Sequence, residues 1–378
     1  MNNFTISSIS TIKLIDKEVW NSFIENETPF LSYEFLLALE ESGCTSKQNG
    51  WEPNHIIIQE NKNLKCLIPN YKKNNSNGEY VFDFNWAEAY MRLGLKYYPK
   101  LLSAVPFTPI NGKRIFIQKF QKNDFSDCVE LLRLYIKKQD ISSFHINFAE
   151  KKQSDLLNNN NFFQRTGIQY HWKNNNYDNF NEFLSTLKNK KKKNILKERN
   201  FLKNEGFTFH RLRGREILKE DWEFFYNCYT STIEKKWSYK YLNFDFFLKI
   251  LNSKINERIL LILAKDKEGV RIACSLSFIG NDNLFGRYWG CIKEISYLHF
   301  EVCYYQSIEF AINNKLSKIE AGAQGEHKIS RGYIPTLTYS NHWIKDNQMS
   351  MAIDEYLRAE SKIIDQNYQI LKKSIPYK

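Results

Sequence analysis

The 378-residue chain is poor in glycine and proline, and it contains no long apolar run. Fifteen glycines and eight prolines exclude a collagen-like or low-complexity chain. The longest clean apolar run, Ile259 to Ala264, is far shorter than the ~20 residues that a membrane-spanning helix needs. The N-terminus, MNNFTISSIS, lacks the charged region and apolar stretch of a secretory signal. Seven cysteines without a CxxC pair indicate reduced thiols, so we expect a cytoplasmic protein without membrane insertion.

Aromatic residues and positive charge are abundant. The 28 Phe, 22 Tyr and 8 Trp, with 42% hydrophobic residues, exclude a disordered chain and allow two or three domains. The net charge of +12 favours an anionic partner such as RNA, a nucleotide or a CoA-like phosphate. Lysine nevertheless outnumbers arginine by 41 to 13, and A/T-rich codons supply Lys and Asn. Codon bias therefore remains an alternative explanation of the charge.

The order of predicted elements indicates an α/β (α+β) fold in two halves. Each half runs through helices, antiparallel strands, a helix and a strand, which suggests two related domains with mixed, mainly antiparallel sheets. We predict a first domain over residues 1–172, an Asn-rich linker over 173–179 and a second domain over 180–378. The second domain opens with a predicted helix from Phe180 to Asn204. It later contains strands over 259–264, 271–279 and 284–289, and a helix over 298–314.

The loop GAQGEHKISRGYIP, residues 322–335, carries the densest group of ionisable side chains. Glu326 or His327 could act as a general base, and Lys328 and Arg331 could hold a phosphate or a carboxylate. Gln324 is a further candidate for substrate binding. A solvated connection between strands is the alternative interpretation of this loop.

The helix that begins near Leu298 carries a second set of candidates. His299 shares one helix face with Cys303 and Gln306, whereas Glu301 shares another with Tyr305. His299 or Glu301 is predicted to line an acceptor pocket, and the alternative is that His299 caps the start of the helix and Cys303 fills the core. No further residue completes a tetrahedral set with His299 and Cys303, so we predict no metal site.

Two other features allow a functional and a structural interpretation. His171 and Trp172 end the last strand of the first domain, near the predicted domain junction, where they could bind substrate or pack the two domains together. Five lysines within residues 188–193 could contact the phosphates of tRNA or another polyanion, or form a solvated helix face. The candidates for the nucleic-acid contact are Lys190, Lys191, Lys192 and Lys193. No signature of an RNA-recognition module is present, and no DNA partner is predicted.

Seven segments together resemble a bacterial family of predicted N-acyltransferases, the FemAB-like or peptidoglycan biosynthesis/recognition family of the GNAT superfamily. They are GWEPNHI (50–56), PNYKKNNSNGEYVFDFNWAEAY (69–90), YYPKLLSAVPFTPINGKR (97–114), QYHW (169–172), FGRYWGC (285–291), LHFEVCYYQ (298–306) and GAQGEHKISRGYIP (322–335). The resemblance covers nearly the whole chain and implies two GNAT-like domains in tandem. A weaker similarity reaches the Fem-type enzymes that use aminoacyl-tRNA. Ser330 stands where those enzymes carry a lysine, and Arg331 and Tyr333 match the same segment.

The resemblance implies transfer of an acyl or aminoacyl group to an amine, without a tightly bound cofactor. The donor would be an acyl-CoA or an aminoacyl-tRNA, held beside Arg287, Tyr288 and Trp289 and at the start of the helix from Leu298. Residues 291–297 contain no glycine, so we do not expect ordinary acetyl-CoA binding there. The alternative function is a non-catalytic protein that recognises a cell-wall fragment or RNA. We also expect Arg287 to share one cleft with the ionisable residues of the 322–335 loop and with Glu301.

Overall fold

A computed structural model describes residues 4–24, 28–118, 122–235, 239–322 and 324–378. The chain forms two compact units. The first consists of Met1–Ile168 and Leu337–Asn367, and the second of Gln169–Thr336 and Tyr368–Lys378. This division differs from the predicted boundary at 173–179. The reason is that the chain returns late to the first unit, where residues 339–344 pair with a strand formed by residues 143–149.

The first half of the chain contains nine strands and five helices within its described residues. They are β1 (Phe4–Ile9), α1 (Lys17–Ile24), α2 (Tyr33–Glu41), β2 (Trp51–Pro53), β3 (His55–Glu60), β4 (Asn63–Ile68), β5 (Tyr71–Lys73), α3 (Phe84–Arg92), β6 (Lys100–Ser103), β7 (Phe116–Ile117), α4 (Lys122–Lys138), β8 (Ser143–Ala149), α5 (Lys151–Asn158) and β9 (Phe163–Lys173). β3 and β4 form a hairpin and pair antiparallel. The short strands β2, β5, β6 and β7 lack the alternating pattern that identifies longer strands.

The second half contains the remaining elements. They are α6 (Phe180–Thr186), α7 (Asn189–Asn204), β10 (Thr208–Arg213), α8 (Lys219–Lys235), α9 (Phe244–Leu251), β11 (Ile259–Lys265), β12 (Arg271–Ile279), β13 (Asn283–Cys291), α10 (Leu298–Phe300), α11 (Gln306–Asn313), β14 (Lys318–Glu320), β15 (Ile334–Ile344) and α12 (Asn347–Lys373). The predicted strands over 259–264, 271–279 and 284–289 are confirmed. By residue range, β9, β15 and α12 each contribute to both units.

Two sheets organise the first unit. One has the order β1-β3-β4-β7 and is antiparallel throughout. The other contains β2, β5, β6, β8 and the C-terminal part of β15, with a parallel pairing between β6 and β8. Ile56 and Ile58 of β3 and Phe144 of β8 share a buried cluster with Leu132 of α4. The apolar face of α4 therefore covers strands of both sheets.

The sheet of the second unit has the order β10-β11-β12-β13-β14-β9. All neighbours are antiparallel except β13 and β14, which are parallel. Residues 259–264 of β11 are fully buried, as expected for a central strand that is covered on both faces. Trp222 and Phe225 of α8 contact Phe247 of α9 and form an aromatic layer on this sheet.

The predicted helix from Phe180 to Asn204 is interrupted. Leu187 and Lys188 adopt extended backbone angles and separate α6 from α7. Leu187 is buried and forms an isolated β-bridge with Tyr377, and the amide of Lys188 donates to the carbonyl of Pro376 at 2.7 Å. The periodicity of residues 180–204 carries no sign of this break, because a distant segment supplies the hydrogen-bond partners.

Gly290 of β13 generates the first prediction. A Cβ atom at this position would lie 2.2 Å from the carbonyl oxygen of Cys228 in α8. We expect Gly290→Ala to lower the free energy of unfolding by about 1–3 kcal/mol, because the backbone of α8 must move. Urea unfolding measures the change. Gly286→Ala is the matched control on the same strand, since its nearest contact is 3.7 Å away. Equal losses in the two variants would contradict the prediction.

Candidate active site in the second unit

The site begins where β13 and β14 separate. The two strands pair in parallel only from Asn283 to Phe285 and from Lys318 to Glu320. Beyond this point β13 continues along β12 as far as Cys291, whereas β14 ends. A gap therefore opens in the sheet beside Gly286 and Arg287. The segment after β14 lies next to this gap.

That segment forms a 3₁₀ turn, Glu326–Arg331, between two glycines of positive φ. Gly325 has a φ of 109°, and a Cβ atom there would lie 2.6 Å from Cε1 of His327. Only glycine allows both this backbone conformation and this close approach of the imidazole. Ala323 of the predicted loop lies outside the described residues.

A π-helical turn, Glu301–Tyr305, places Tyr304 against the His327 ring. The Oη atom of Tyr304 lies 2.9 Å from Nε2 of His327. His299 contacts Tyr304 five residues further along, with ring centroids 5.3 Å apart, which is the spacing of a π turn rather than of an α-helix. His299 also lies 6.1 Å from the His327 ring, so the two imidazoles and the phenol form one cluster.

His327 is suited to accept a proton. Its ring is exposed, and its pKa is lowered by partial desolvation and by the nearby cations Arg331 and Lys328. The imidazole is therefore neutral at pH 7. When Nε2–H donates to Tyr304, Nδ1 remains as the acceptor that a general base requires.

Lys328 lies beside the gap in the sheet. Its ammonium donates to the carbonyl of Gly322 at 3.1 Å, and burial lowers its pKa to about 8, with Arg287 adding to the effect. An ammonium has three donors, so this single bond leaves capacity for an oxyanion.

Arg331 is held by neighbours rather than presented to a ligand. Its guanidinium lies 3.3 Å from the centroid of the Phe300 ring and donates to Glu198 of α7 at 2.9 Å. A second donor bonds the carbonyl of His327 at 2.9 Å. These contacts favour a role in positioning the His327 backbone over the predicted role in substrate binding.

A cavity of about 510 Å³ lies at the C-terminal end of β13. Its wall combines apolar, cationic and polar side chains: Thr232, Lys235, Trp289, Cys291, Lys293, Glu294, Ile295, Leu298 and His299. His299 belongs both to this cavity and to the imidazole cluster. Trp289 packs edge-on against the His299 ring, with ring centroids 5.1 Å apart. The volume lies in the range of small-molecule sites.

Glu301 does not join this cluster. Its side chain is 2% exposed, and its carboxylate accepts from Arg199 at 2.9 Å and from Gln306 at 2.7 Å. Burial raises its pKa, although Arg199 opposes that effect. The ion pair favours a structural role in place of the predicted catalytic one. Helical spacing misplaced this residue because the π turn shifts the faces of the helix.

Two other predicted ligands pack against aromatic side chains. Tyr288 is half-buried and packs against Phe225, Tyr229 and Phe247. Trp172 is fully buried against Phe183.

The last members of the predicted set fall into a buried and an exposed group. His171 is buried 4.0 Å from Glu320, and Tyr333 is buried against Tyr304. Burial favours structural roles for these side chains. Gln324 and Glu326 are exposed on the loop beside His327.

The lysine run lies on the first turn of α7. Lys190 and Lys193 are exposed, whereas Lys191 donates to Oγ of Ser330 at 2.9 Å. Ser330 precedes Arg331, so Lys191 and Glu198 both attach α7 to the turn that carries His327. Sequence reasoning missed Tyr304 and Glu198, because neither belongs to a recognisable spacing motif.

Two kinds of feature are absent from the described part of the chain. No group of three or more His, Cys, Asp or Glu side chains there could hold a metal ion. No helix in the same residues combines the length and the apolar character needed to span a bilayer.

Comparisons with known proteins identify relatives of the whole chain. A family model described as FemAB-like, peptidoglycan biosynthesis/recognition, matches residues 11–378. No curated protein matches the sequence.

Solved structures of similar fold include FemX, at 11% identity and a TM-score of 0.56, covering 90% of this chain and 98% of FemX. L-PGS from Bacillus licheniformis matches at 10% identity and a TM-score of 0.52, covering 85% of this chain and 95% of that one. A conserved protein of unknown function from Bacteroides thetaiotaomicron matches at 11% identity and a TM-score of 0.53, covering 89% of this chain and 99% of that one. The predicted fold class, α/β with tandem GNAT-like domains, is confirmed.

His171 generates a prediction on pH. Burial lowers its pKa to about 4, although Glu320 opposes the effect, whereas an unfolded histidine titrates near ~6.5. Between these values the unfolded chain binds a proton that the folded chain does not. Stability is therefore present above pH ~6.5 and falls as the pH decreases to ~4, by up to ~1.4 kcal/mol per pH unit. We expect His171→Gln to reduce this slope in urea unfolding at three pH values.

His210→Gln is the control for this measurement, because His210 is exposed on β10. The control should keep the slope of the original chain. Parallel slopes for all three proteins would show that His171 is not the titrating group.

Proposed function

The chain belongs to the FemAB-like family, and from this premise we propose that it is an N-acyltransferase that moves an acyl or aminoacyl group onto an amine. The observation that carries the proposal is the His327–Tyr304 pair, which adjoins the 510 Å³ cavity through His299. Attack on a carbonyl requires that the amine lose a proton, and neutral His327 provides the acceptor. No covalent intermediate is needed.

The remaining groups supply orientation and charge. The Lys328 ammonium is placed to stabilise the oxyanion that develops on the acyl carbonyl. Arg331 fixes the His327 backbone through its bond to the carbonyl, and Glu198 holds Arg331 in turn. The cavity beside Trp289 would take one of the two substrates, with Lys293 offering charge to an anionic group, whereas Lys235 is paired with Glu294 at 3.0 Å. The family description supports a peptidoglycan precursor as the amine acceptor.

We expect His327→Ala to lower kcat/KM by about 10²–10⁴-fold, the usual contribution of a general base. Because the pKa of His327 is lowered, the activity of the original chain should decline only below pH ~6.5, and this acid limb should vanish in the variant. The assay offers acyl-CoA and aminoacyl-tRNA donors with amines from peptidoglycan precursors, and mass spectrometry detects the amide product. Tyr304→Phe should lose less activity, because Nδ1 stays available.

His210→Gln serves as the control for surface histidine loss. An unchanged kcat/KM in His327→Ala would remove His327 as the base. If no donor gave a product while a cell-wall fragment or RNA co-purified, the chain would be a binding protein rather than an enzyme.

The lysines of α7 test the aminoacyl-tRNA version of the proposal. If they contact phosphates, tRNA binding should weaken with salt, at roughly −0.9 in the log–log slope for each duplex phosphate. We expect the triple change Lys190→Gln, Lys192→Gln and Lys193→Gln to reduce the slope by about two to three units. Lys191→Gln is tested separately, because Lys191 bonds Ser330. An unchanged slope in the triple variant would assign these lysines to codon bias.

A further inference from the structure

The first unit contains a buried row of ionisable residues that the proposed chemistry does not use. On one face of its sheet, Trp51 of β2 pairs with Lys73 of β5, and Lys73 pairs with Lys100 of β6. His145 of β8 pairs with Leu102, two residues beyond Lys100, and His342 of β15 pairs with His145, with the Nδ1 atoms of the two rings 2.7 Å apart. All five side chains are essentially inaccessible. A polar row on a buried sheet face is unusual, because burial penalises each charge.

The residues between β5 and α3, Asn74–Asp83, cover the two lysines, and we name them the acidic loop. Glu79 and Asp83 point inward and are 4% and 3% exposed. The Lys100 ammonium donates to Ser76 and Glu79 at 2.9 Å each and to Asp83, whereas Lys73 lies 3.8 Å from Glu79. Two cations of the sheet are thus neutralised by two carboxylates of one loop.

The acidic loop is held in place by side chains. Within the described residues, positions 74–82 make no backbone–backbone hydrogen bond outside helices and strands. The loop instead depends on side chains: the Lys100 contacts, Lys73 and Trp51 donating to the carbonyl of Asn77 at 3.2 and 2.9 Å, and Arg165 donating to that of Phe82 at 2.8 Å. The hydroxyl of Tyr98 lies 2.8 Å from that of Ser76, and Tyr97 donates to Asp83. Segments of this kind open at lower free energy than strands do.

The fit of the acidic loop is also incomplete. Oε1 of Glu79 and Oδ1 of Asp83 are buried without a hydrogen bond in the described part of the chain. Tyr80 has a φ of 60°, which is costly for a residue with a side chain, and Gly78 beside it has a φ of 77°. The Phe82 side chain is 56% exposed. Strain, unsatisfied carboxylates and an exposed aromatic ring all reduce the free energy that keeps the loop closed.

We propose that Lys73 and Lys100 form a binding site for a small dianion, a diphosphate or a dicarboxylate, which the Glu79 and Asp83 carboxylates occupy in this structure. The ligand would displace the acidic loop and replace its two negative charges. Tyr97 and His145, 3.3 Å apart, would supply further hydrogen bonds at the same position. Burial lowers the pKa of Lys73 to about 7, despite Glu79, and raises that of Glu79 to about 7, so this pair is held weakly as ions. The proposal is independent of the transferase chemistry in the second unit.

Calorimetry with pyrophosphate and with glutarate, at constant ionic strength, tests the site on the full chain. The variant Glu79→Gln with Asp83→Gln removes the competing carboxylates, so it should bind the dianion at least ~10-fold more tightly than the original chain. Lys100→Met should abolish binding. Glu88→Gln on the exposed face of α3 is the matched control and should bind as the original chain does. Binding of pyrophosphate alone assigns a diphosphate ligand, and binding of glutarate alone assigns a dicarboxylate.

A second measurement does not depend on the folding of a variant. Hydrogen exchange is followed in peptides that cover residues 74–83 of the original chain. It should accelerate by about fivefold or more when pyrophosphate or glutarate, whichever binds, is added, compared with acetate. Failure of both dianions to bind, with unchanged exchange in the acidic loop, would overturn the proposal. Binding without faster exchange would also overturn it, because the ligand would then lie elsewhere.

Discussion

The parallel pairing of β13 and β14 is the constraint on which the candidate site depends. It lasts for only three residues on each strand, and the loss of pairing after Phe285 and Glu320 opens the gap in the sheet. The segment after β14, which carries His327 and Lys328, lies next to that gap. The chain after β14 can turn back because β14 has ended, and this turn brings His327 to Tyr304. A longer pairing would have filled the same space with backbone hydrogen bonds.

Much of the second unit was predictable from periodicity, whereas its chemistry was only partly so. The runs that became β11, β12 and β13 are long and strongly apolar, so their pattern identifies them without tertiary information. His299 and His327 could be named as candidates from the sequence, because His327 lies in a glycine-rich loop dense in ionisable residues and His299 lies at the start of a predicted helix. Tyr304 was not predicted, because a π turn replaces the usual helical spacing by one of five residues. No residue pattern in the sequence indicates that change.

The misplaced candidates have a common physical cause. Glu301 and Trp172 carry side chains that can either bind a ligand or pack in the core, and the sequence alone does not reveal that both are buried. Glu301 forms an ion pair with Arg199 of α7, about a hundred positions away in the sequence. A buried carboxylate in such a pair is structural, because removing either partner leaves an uncompensated charge. The acidic loop shows the opposite error. Sequence analysis assigned no role to its carboxylates, and the structure buries Glu79 and Asp83 against two lysines.

The division of the chain has a consequence for its synthesis on the ribosome. The first unit needs residues 337–367, because β8 acquires its β15 neighbour only after that segment has been made. His145 therefore cannot contact His342 until the ribosome has made that residue, which is 197 positions later in the sequence. An N-terminal domain that finishes folding before the rest of the chain appears is excluded by this connectivity. Nascent chains of this protein therefore carry an unpaired edge on β8 from the time residue 149 has been made until residues 339–344 follow, and an unpaired strand edge is a template for pairing with other chains.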